Sequence, residues 1–421
     1  MTSLRDVVIT GVGVVSPIGI GKAPFAESLW AGRSGVKSLA LLQDTPFPVR
    51  FGADIAEFDG KQYVTPRKSI KVMSREIQFA FAAASLAIQD ANLNTADIDR
   101  DRFGVVFGSE MMYSAPGELI DAYNKCVVDG RFSFSQWGDR AMSNLYPLWM
   151  LKYLPNMPAC HIAIAHDARG PNNTFTLGEV SSLLALMEAS RYIQRGQADV
   201  MIAGGTGSRL NITGLVFRGV KDLSHRNESP SEACRPFDAD RDGMVNGEGS
   251  GAFVLEEAGH AAARGASVLA RVLGFGSSFE PKSKSGSRSG CGVRSTIQQA
   301  LREAGLAASD VGHVNANGLS TIADDAMESS AIRDLLGDVP VTAPKSYFGH
   351  LGSGTGAVEM AASVLALEQH EIPKTLNFQR HDPGCPLNVV HGQSRPMTKM
   401  TAMVLNQSLT GQAASVLLGG A

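Results

Sequence analysis

The run CRPFDADRDGMVNGEGSGAFVLEEAGHAAARGA, from Cys234 to Ala266, decides the fold. It opens on a charged turn, DADRDG (238–243). A glycine-spaced segment then passes into GSGAFVLEE, an apolar run that reads as a buried strand. A short helix is expected over His260–Arg264. The opening turn looks like the start of a calcium loop, but such a loop needs a bidentate Glu at its twelfth position, and Gly249 stands there. Its flanks also read as loop and strand rather than as two helices. The expectation is therefore a charged turn ordered by Asp–Arg pairing.

Outward from this run, strands and helices alternate. Upstream, Asp6–Thr10 reads as a short buried strand ending in the glycine-rich turn GVGVVSPIG, and a helix is expected over Ala23–Ala31. Met73–Ala91 carries Ile77, Phe79, Ala80, Ala83, Leu86 and Ala87 at helical spacing. Arg102–Gly108 and Ala198–Gly205 read as strands, with a helix over Val180–Ile193 between them. Downstream come strand Val268–Phe275, helix Thr296–Gly305, strand Val311–Gly318, helix Asp324–Leu336 and strand Val339–Ala343. Helix Thr355–His370 and strands Thr401–Ser408 and Ala414–Leu418 complete the chain. The class is α/β. Both halves share one strand–helix rhythm, which points to internal duplication without a short-period repeat. The halves are expected over 1–258 and 259–421, with the Ser/Gly/Lys stretch Ser277–Gly292 as the best linker candidate. Met111–Pro158, rich in Met, Tyr and Trp, breaks the rhythm and reads as an insertion that caps the core or meets a partner.

Composition excludes several function classes. The 421 residues are 44% hydrophobic and carry a net charge of −3, which gives no electrostatic footprint for nucleic acid. The cluster Lys282–Arg288 sits among Ser and Gly and reads as a solvated loop. No run reaches the roughly 18 apolar residues of a membrane span. The opening MTSLRDVVITGVGVVSP lacks the apolar core of a signal peptide. Cys126, Cys160, Cys234, Cys291 and Cys385 are scattered and form no CxxC, so neither a metal site nor a disulfide framework is indicated, and a cytoplasmic setting is expected. Gly11 and Gly13 form a GxG after a strand, but Ser16 replaces the third glycine of a dinucleotide fingerprint.

The Cys234–Ala266 run resembles the central signature of the elongating β-ketoacyl-[acyl-carrier-protein] synthases. Three other segments are similar to that family: VVITGVGVVSPIG at the start, VNANGLSTIADDAMES (314–329) and PKSYFGHLGSGTGAVE (344–359). The resemblance covers nearly the whole chain, least in 111–158. It implies a duplicated, five-layered αβαβα thiolase fold and a dimer. It implies no cofactor, because the substrates would be phosphopantetheine thioesters on an acyl carrier protein.

Condensation in this family needs a thiolate, backbone N–H groups for the oxyanion, and two imidazoles. The matching nucleophile segment is RGPNNTFTLGEVSSLLAL (169–186), and nine steps from Gly170 land on Glu179. A gap-free count back from ADVMIAGG (198–205) reaches the same residue. The resemblance therefore places glutamate at the position of the reactive cysteine. The first histidine position falls on Asn317, which can donate a hydrogen bond but cannot titrate. The second histidine is kept as His350, Lys345 is kept, and Asp325 and Glu328 match an acidic pair. The family's glycine-rich C-terminal loop is replaced by NQSLTGQAAS (406–415), where Leu409 and Gly411 lie closest to the lost gate positions and are the candidate substrate contacts.

Three functions follow from this pattern. The first is a non-condensing, chain-length-factor-like subunit paired with a cysteine-bearing ketosynthase, although such factors usually carry glutamine at this position. The second is altered chemistry on acyl or malonyl thioesters, with Glu179 and His350 as an acid–base pair for hydrolysis or acyl transfer. Malonyl decarboxylation would face about 4 kcal/mol of repulsion from an ionised Glu179; a buried glutamate could instead be protonated. The third is condensation through Ser181 or Ser182, which face other directions on the helix.

Overall fold

The structure, a computed structural model, describes residues 4–284 and 286–421. Residues 1–3 of the opening segment and Ser285 of the 277–292 stretch lie outside the described residues.

Eleven strands carry the architecture. The first five are β1 (Val7–Ser16), β2 (Phe103–Gly108), β3 (Asn172–Phe175), β4 (Val200–Ser208) and β5 (Glu248–Glu257). The others are β6 (Ala270–Phe279), β7 (His313–Asn315), β8 (Pro340–Thr342), β9 (Asn388–Val389), β10 (Thr401–Gln407) and β11 (Gln412–Gly419). The helices that cover them are α1 (Arg75–Asp90), α2 (Met157–His166), α3 (Ser181–Gln194), α4 (Cys291–Ala304), α5 (Ile322–Leu336) and α6 (Thr355–Gln369).

All eleven strands join one path, in the order β9-β8-β7-β10-β11-β6-β1-β5-β4-β2-β3. The first half reads β3-β2-β4-β5-β1, and the second half reads β8-β7-β10-β11-β6 with β9 added at its edge. Numbered within each half, both follow 3-2-4-5-1. In both, the first three of these are parallel and the last two join antiparallel. The halves meet where β1 pairs antiparallel with β6, Val7 opposite Val272 and Ile9 opposite Ala270. This is the duplication that the alternating rhythm suggested.

Three apolar clusters define the layers. One packs α1 and α2 on the outer face of the first half, with Ile77, Phe79, Ala83 and Ile162 against Val105 and Ile202. A second joins α3 and α6 between the two halves, with Leu183 and Leu186 beside Val358 and Leu365. The third packs α4 and α5 against the outer face of the second half, through Ile297, Ile332, Val314 and Val341. The result is α, β, α, β, α. The central helix α6 is buried on every side from Thr355 to Leu367, so its sequence there is apolar or small except at Glu359 rather than striped.

Four expectations are corrected. β1 does not stop at Thr10 in a glycine turn; it runs on through Gly11 and Gly13 to Ser16. A Cβ on Gly13 would stand 1.9 Å from the Ala83 carbonyl oxygen, so these glycines admit α1 against the strand rather than turn the chain. The strand expected over 311–318 shrinks to β7, because the N–H groups of Asn317 and Gly318 donate to Glu328 instead of a sheet neighbour. The 277–292 stretch is not an interdomain linker: β6 occupies it to Phe279 and α4 begins at Cys291. Nor is its basic cluster wholly solvated, since the Arg288 guanidinium donates to the carbonyls of Glu280 and Leu409.

The charged turn behaves as expected, with additions. Arg235 lies 3.5 Å from Asp238, and the other Asp238 oxygen accepts from the N–H groups of Gln379 and Arg380. Arg241 binds Asp382 at 2.6 Å and the carbonyls of Thr321 and Ile322. Residues 111–158 form short turns, a six-residue helix (Ile120–Lys125) and a two-strand ribbon (Val127–Val128 with Arg131–Phe132). Phe134, Met150 and Met142 stand well exposed there, so these side chains do not fill the core. No helix among the described residues is long and apolar enough to cross a membrane.

Candidate active site

Glu179 sits in a single tight turn, Gly178–Val180, immediately before α3. The turn is pinned from both sides. Ser181 Oγ donates to the Gly178 carbonyl at 2.6 Å and accepts from the Leu177 N–H at 2.8 Å. Ser353 Oγ donates to the same carbonyl at 2.8 Å. Ser181 is thus committed to the backbone, and both it and Ser182 are fully buried.

His350 is brought opposite by the loop between β8 and α6. Its backbone N–H donates to Val245, and its carbonyl accepts from Gly247, the start of β5's approach. Its Nδ1 accepts from the Gly352 N–H at 3.0 Å. A neutral ring therefore carries its proton on Nε2. That nitrogen faces Glu179 Oε1 at 3.3 Å, off the line of a hydrogen bond. Burial, and then the nearby Arg209, push the His350 pKa down to about 3, so the imidazole is neutral at physiological pH.

A residue that the motifs did not single out completes the contact. Arg209, just past β4, places Nη1 3.4 Å from Glu179 Oε1 and Nε 3.1 Å from Asn246 Oδ1. Burial pulls its pKa down, but a guanidinium stays charged. Burial alone would raise Glu179, while the nearby His350 and Arg209 pull it the other way, below the usual carboxylate range. Of these two partners Arg209 is the lasting charge, since His350 is neutral. Glu179 is accordingly an ionised, buried, paired carboxylate.

Lys345 lies deeper, with Nζ 2.5 Å from Glu359 Oε1, while Asn406 donates to the other Glu359 oxygen at 2.9 Å. Asn317 is fixed through its backbone. Glu328 accepts from the N–H groups of Asn317 and Gly318 at 2.7 and 2.9 Å, and Asp325 accepts from Ser320 and Phe237 at 3.1 and 2.8 Å. Burial raises Asp325 to about 7 and Glu328 to about 8. The acidic pair is thus a clamp on the turn after β7. The Asn317 side chain is buried with both polar atoms unpartnered. An orphaned amide is costly in a core.

The turn 408–411 joins β10 to β11. Gly411 takes φ +112 and a Cβ on it would meet the Glu280 carbonyl at 2.2 Å, so only glycine closes this turn. Leu409 packs against the cluster of Val36, Phe51 and Leu319, while Ser408 comes within 3.7 Å of where a Gly178 Cβ would lie. The turn is therefore a neighbour of the Glu179 segment. A cavity of about 450 Å³ is lined by Ser74, Arg75, Glu76, Tyr113, Ser208 and Glu248 among others; none of the residues named for chemistry lines it. Among the described residues no cluster of His, Cys, Asp and Glu could hold a metal.

With this geometry in place, the class can be stated: the chain belongs to the β-ketoacyl synthase family. The profile of the β-ketoacyl synthase N-terminal domain matches residues 4–261, and that of the C-terminal domain matches residues 269–379. The chain is 34% identical to the 3-oxoacyl-[acyl-carrier-protein] synthase 2 of Synechocystis sp., with 93% of this chain and 92% of that one aligned. It is also 34% identical to the protein of the same name from Vibrio cholerae, over 96% of each. Among solved structures it is similar to a β-ketoacyl synthase from Burkholderia phymatum, with a TM-score of 0.88 and 29% identity over 99% of this chain and 100% of that one. The ishigamide ketosynthase/chain length factor gives 0.86 and 27%, over 99% and 100%. A type II polyketide ketosynthase, solved with its acyl-carrier protein and bound to a hexaketide, gives 0.82 and 28%, again over 99% and 100%. The chain is thus a β-ketoacyl-ACP synthase-like protein with the thiolase fold, of the kind found in fatty-acid or polyketide synthesis.

Proposed function

We propose that this chain is a condensation-deficient ketosynthase homologue that serves as a chain-length-factor-like partner of a cysteine-bearing ketosynthase. Glu179 stands, on this reading, at the reactive-cysteine position. The observation that carries it is the clasp on Glu179: a buried carboxyl 3.4 Å from the Arg209 guanidinium and 3.3 Å from His350, tied to a fixed cation, is a weak nucleophile and a poor base. The same clasp disfavours the reading in which Glu179 and His350 form an acid–base pair, since His350 Nδ1 is taken and its Nε2 proton faces an anion.

Other parts of the account are consistent with this. Asn317, Lys345 and His350 are proposed to be inherited site residues, and Leu409 and Gly411 to border the thioester entrance. The substrates would be phosphopantetheine thioesters on an acyl carrier protein, as the resemblance implies and as one structural neighbour's acyl-carrier-protein complex encourages. Another neighbour is itself a ketosynthase/chain length factor. The partner ketosynthase would pair along the edge strand β3 and the exposed apolar residues of 111–158, in the cytoplasm, with the halves dividing near residue 258.

The test is co-expression with a cysteine-bearing ketosynthase, followed by native mass spectrometry and product analysis. A 1:1 complex whose product length changes when this chain is exchanged for another supports the reading. A homodimer that leaves the partner's products unchanged contradicts it.

A further inference from the structure

Two more charged side chains adjoin the Glu179 clasp. Glu110 follows β2, and Arg218 ends the helix Ile212–Arg218. Arg218 Nη2 lies 3.3 Å from Glu110 Oε1, and each side chain is less than one-fifth exposed. The guanidinium of Arg218 also covers the Tyr113 ring, 5.3 Å from its centroid. The Glu110 carboxylate presses on the His350 loop: a Cβ added to Gly352 would stand 2.3 Å from its Oε1. Burial raises Glu110 to about 7, and Arg218 and then Arg209 pull the other way, so Arg209 lies within electrostatic reach of both acids. Glu179, Arg209, Glu110 and Arg218 thus form two acid–arginine pairs around the turn that opens α3, with the Glu110 carboxyl titrating near neutrality.

An acyl group bound at residue 179 would begin beside Arg209 and His350, the side chains that touch Glu179. Apolar chains are excluded from a region packed with paired charges, because entering it would strand those charges without partners or water. We propose that these four side chains form a charged plug in place of an acyl channel, with Arg209 as the residue that positions Glu179 and closes it. This deepens the non-condensing reading and rests on it: the block lies in the room around residue 179 as well as in the missing thiol.

The test returns a thiol and asks whether it can be reached. Glu179→Cys and the charge-balanced double variant Glu179→Cys/Arg209→Ala are incubated with the octanoyl thioester of N-acetylcysteamine. In acylation the cysteine sulfur forms a bond to the carbonyl carbon, and the released thiol leaves with the proton. Octanoylation of residue 179 is followed by peptide mass mapping, which separates it from the exposed Cys291. The plug predicts at least tenfold faster octanoylation in the double variant than in Glu179→Cys. Equal rates, fast or absent, overturn it. Thermal melting confirms folding, and Glu179→Cys/Arg209→Leu, held to the same expectation, replaces the alanine variant if that one does not fold. The wild-type co-expression experiment reads the partner role separately, so a failed plug with an intact effect on product length removes this inference alone.

Discussion

At the scale of single residues, one ion pair bears most of the argument. Breaking a buried pair by neutralising one member costs about 3–5 kcal/mol, because the other charge is left without compensation. Glu179→Gln keeps the shape and removes the charge, so we expect it to lose about 3 kcal/mol of stability at pH 7 in a urea titration. The pH dependence has a definite sign. Glu179 is depressed in the folded state, so its contribution is present above the usual carboxylate range and lost as pH falls toward about 2. The deficit of the variant should therefore persist near neutral pH and shrink in acid. Glu179, His350 and Lys345 were legible in the sequence because each stands in a motif with its own spacing. Arg209 was not, because pairing between a strand end and a distant turn leaves no local pattern. The hint available was a charge at the end of the otherwise apolar and glycine-rich β4; Glu110, just past β2, offered the same hint.

At the scale of elements, the alternation of strand and helix was readable, and the misreadings share a cause. Gly11 and Gly13 look like turn residues in a single sequence, yet they are strand residues thinned so that α1 can lie close. Gly13→Ala should therefore cost about 3 kcal/mol in chemical denaturation, at the upper end of what overpacking costs, since the clash is with helix backbone rather than with a movable side chain. A result near zero would mean that α1 can be displaced freely. The end of β7 was misjudged for a related reason. The sequence Asn315–Gly318 continues an extended pattern, but the carboxylate of Glu328 competes for its N–H groups and peels it from the sheet. Such competition depends on a helix that arrives later in the chain, so no local reading reveals it.

At the scale of the whole molecule, the duplication came from rhythm alone, while the shared 3-2-4-5-1 order needed the pairing of strands far apart in sequence. Identical order in the two halves places the Glu179 turn and the His350 loop at equivalent points, each ahead of a central helix, α3 or α6. That equivalence explains why the two residues meet. The measurement that tests this account most directly is a condensation assay on the purified wild-type chain alone. Acyl- and malonyl-carrier-protein are supplied together, and both carriers and the chain are followed by intact-protein mass spectrometry. The account predicts no acyl adduct on the chain and no β-ketoacyl product. Transfer of the acyl group to the chain, or any β-ketoacyl carrier protein, would contradict it.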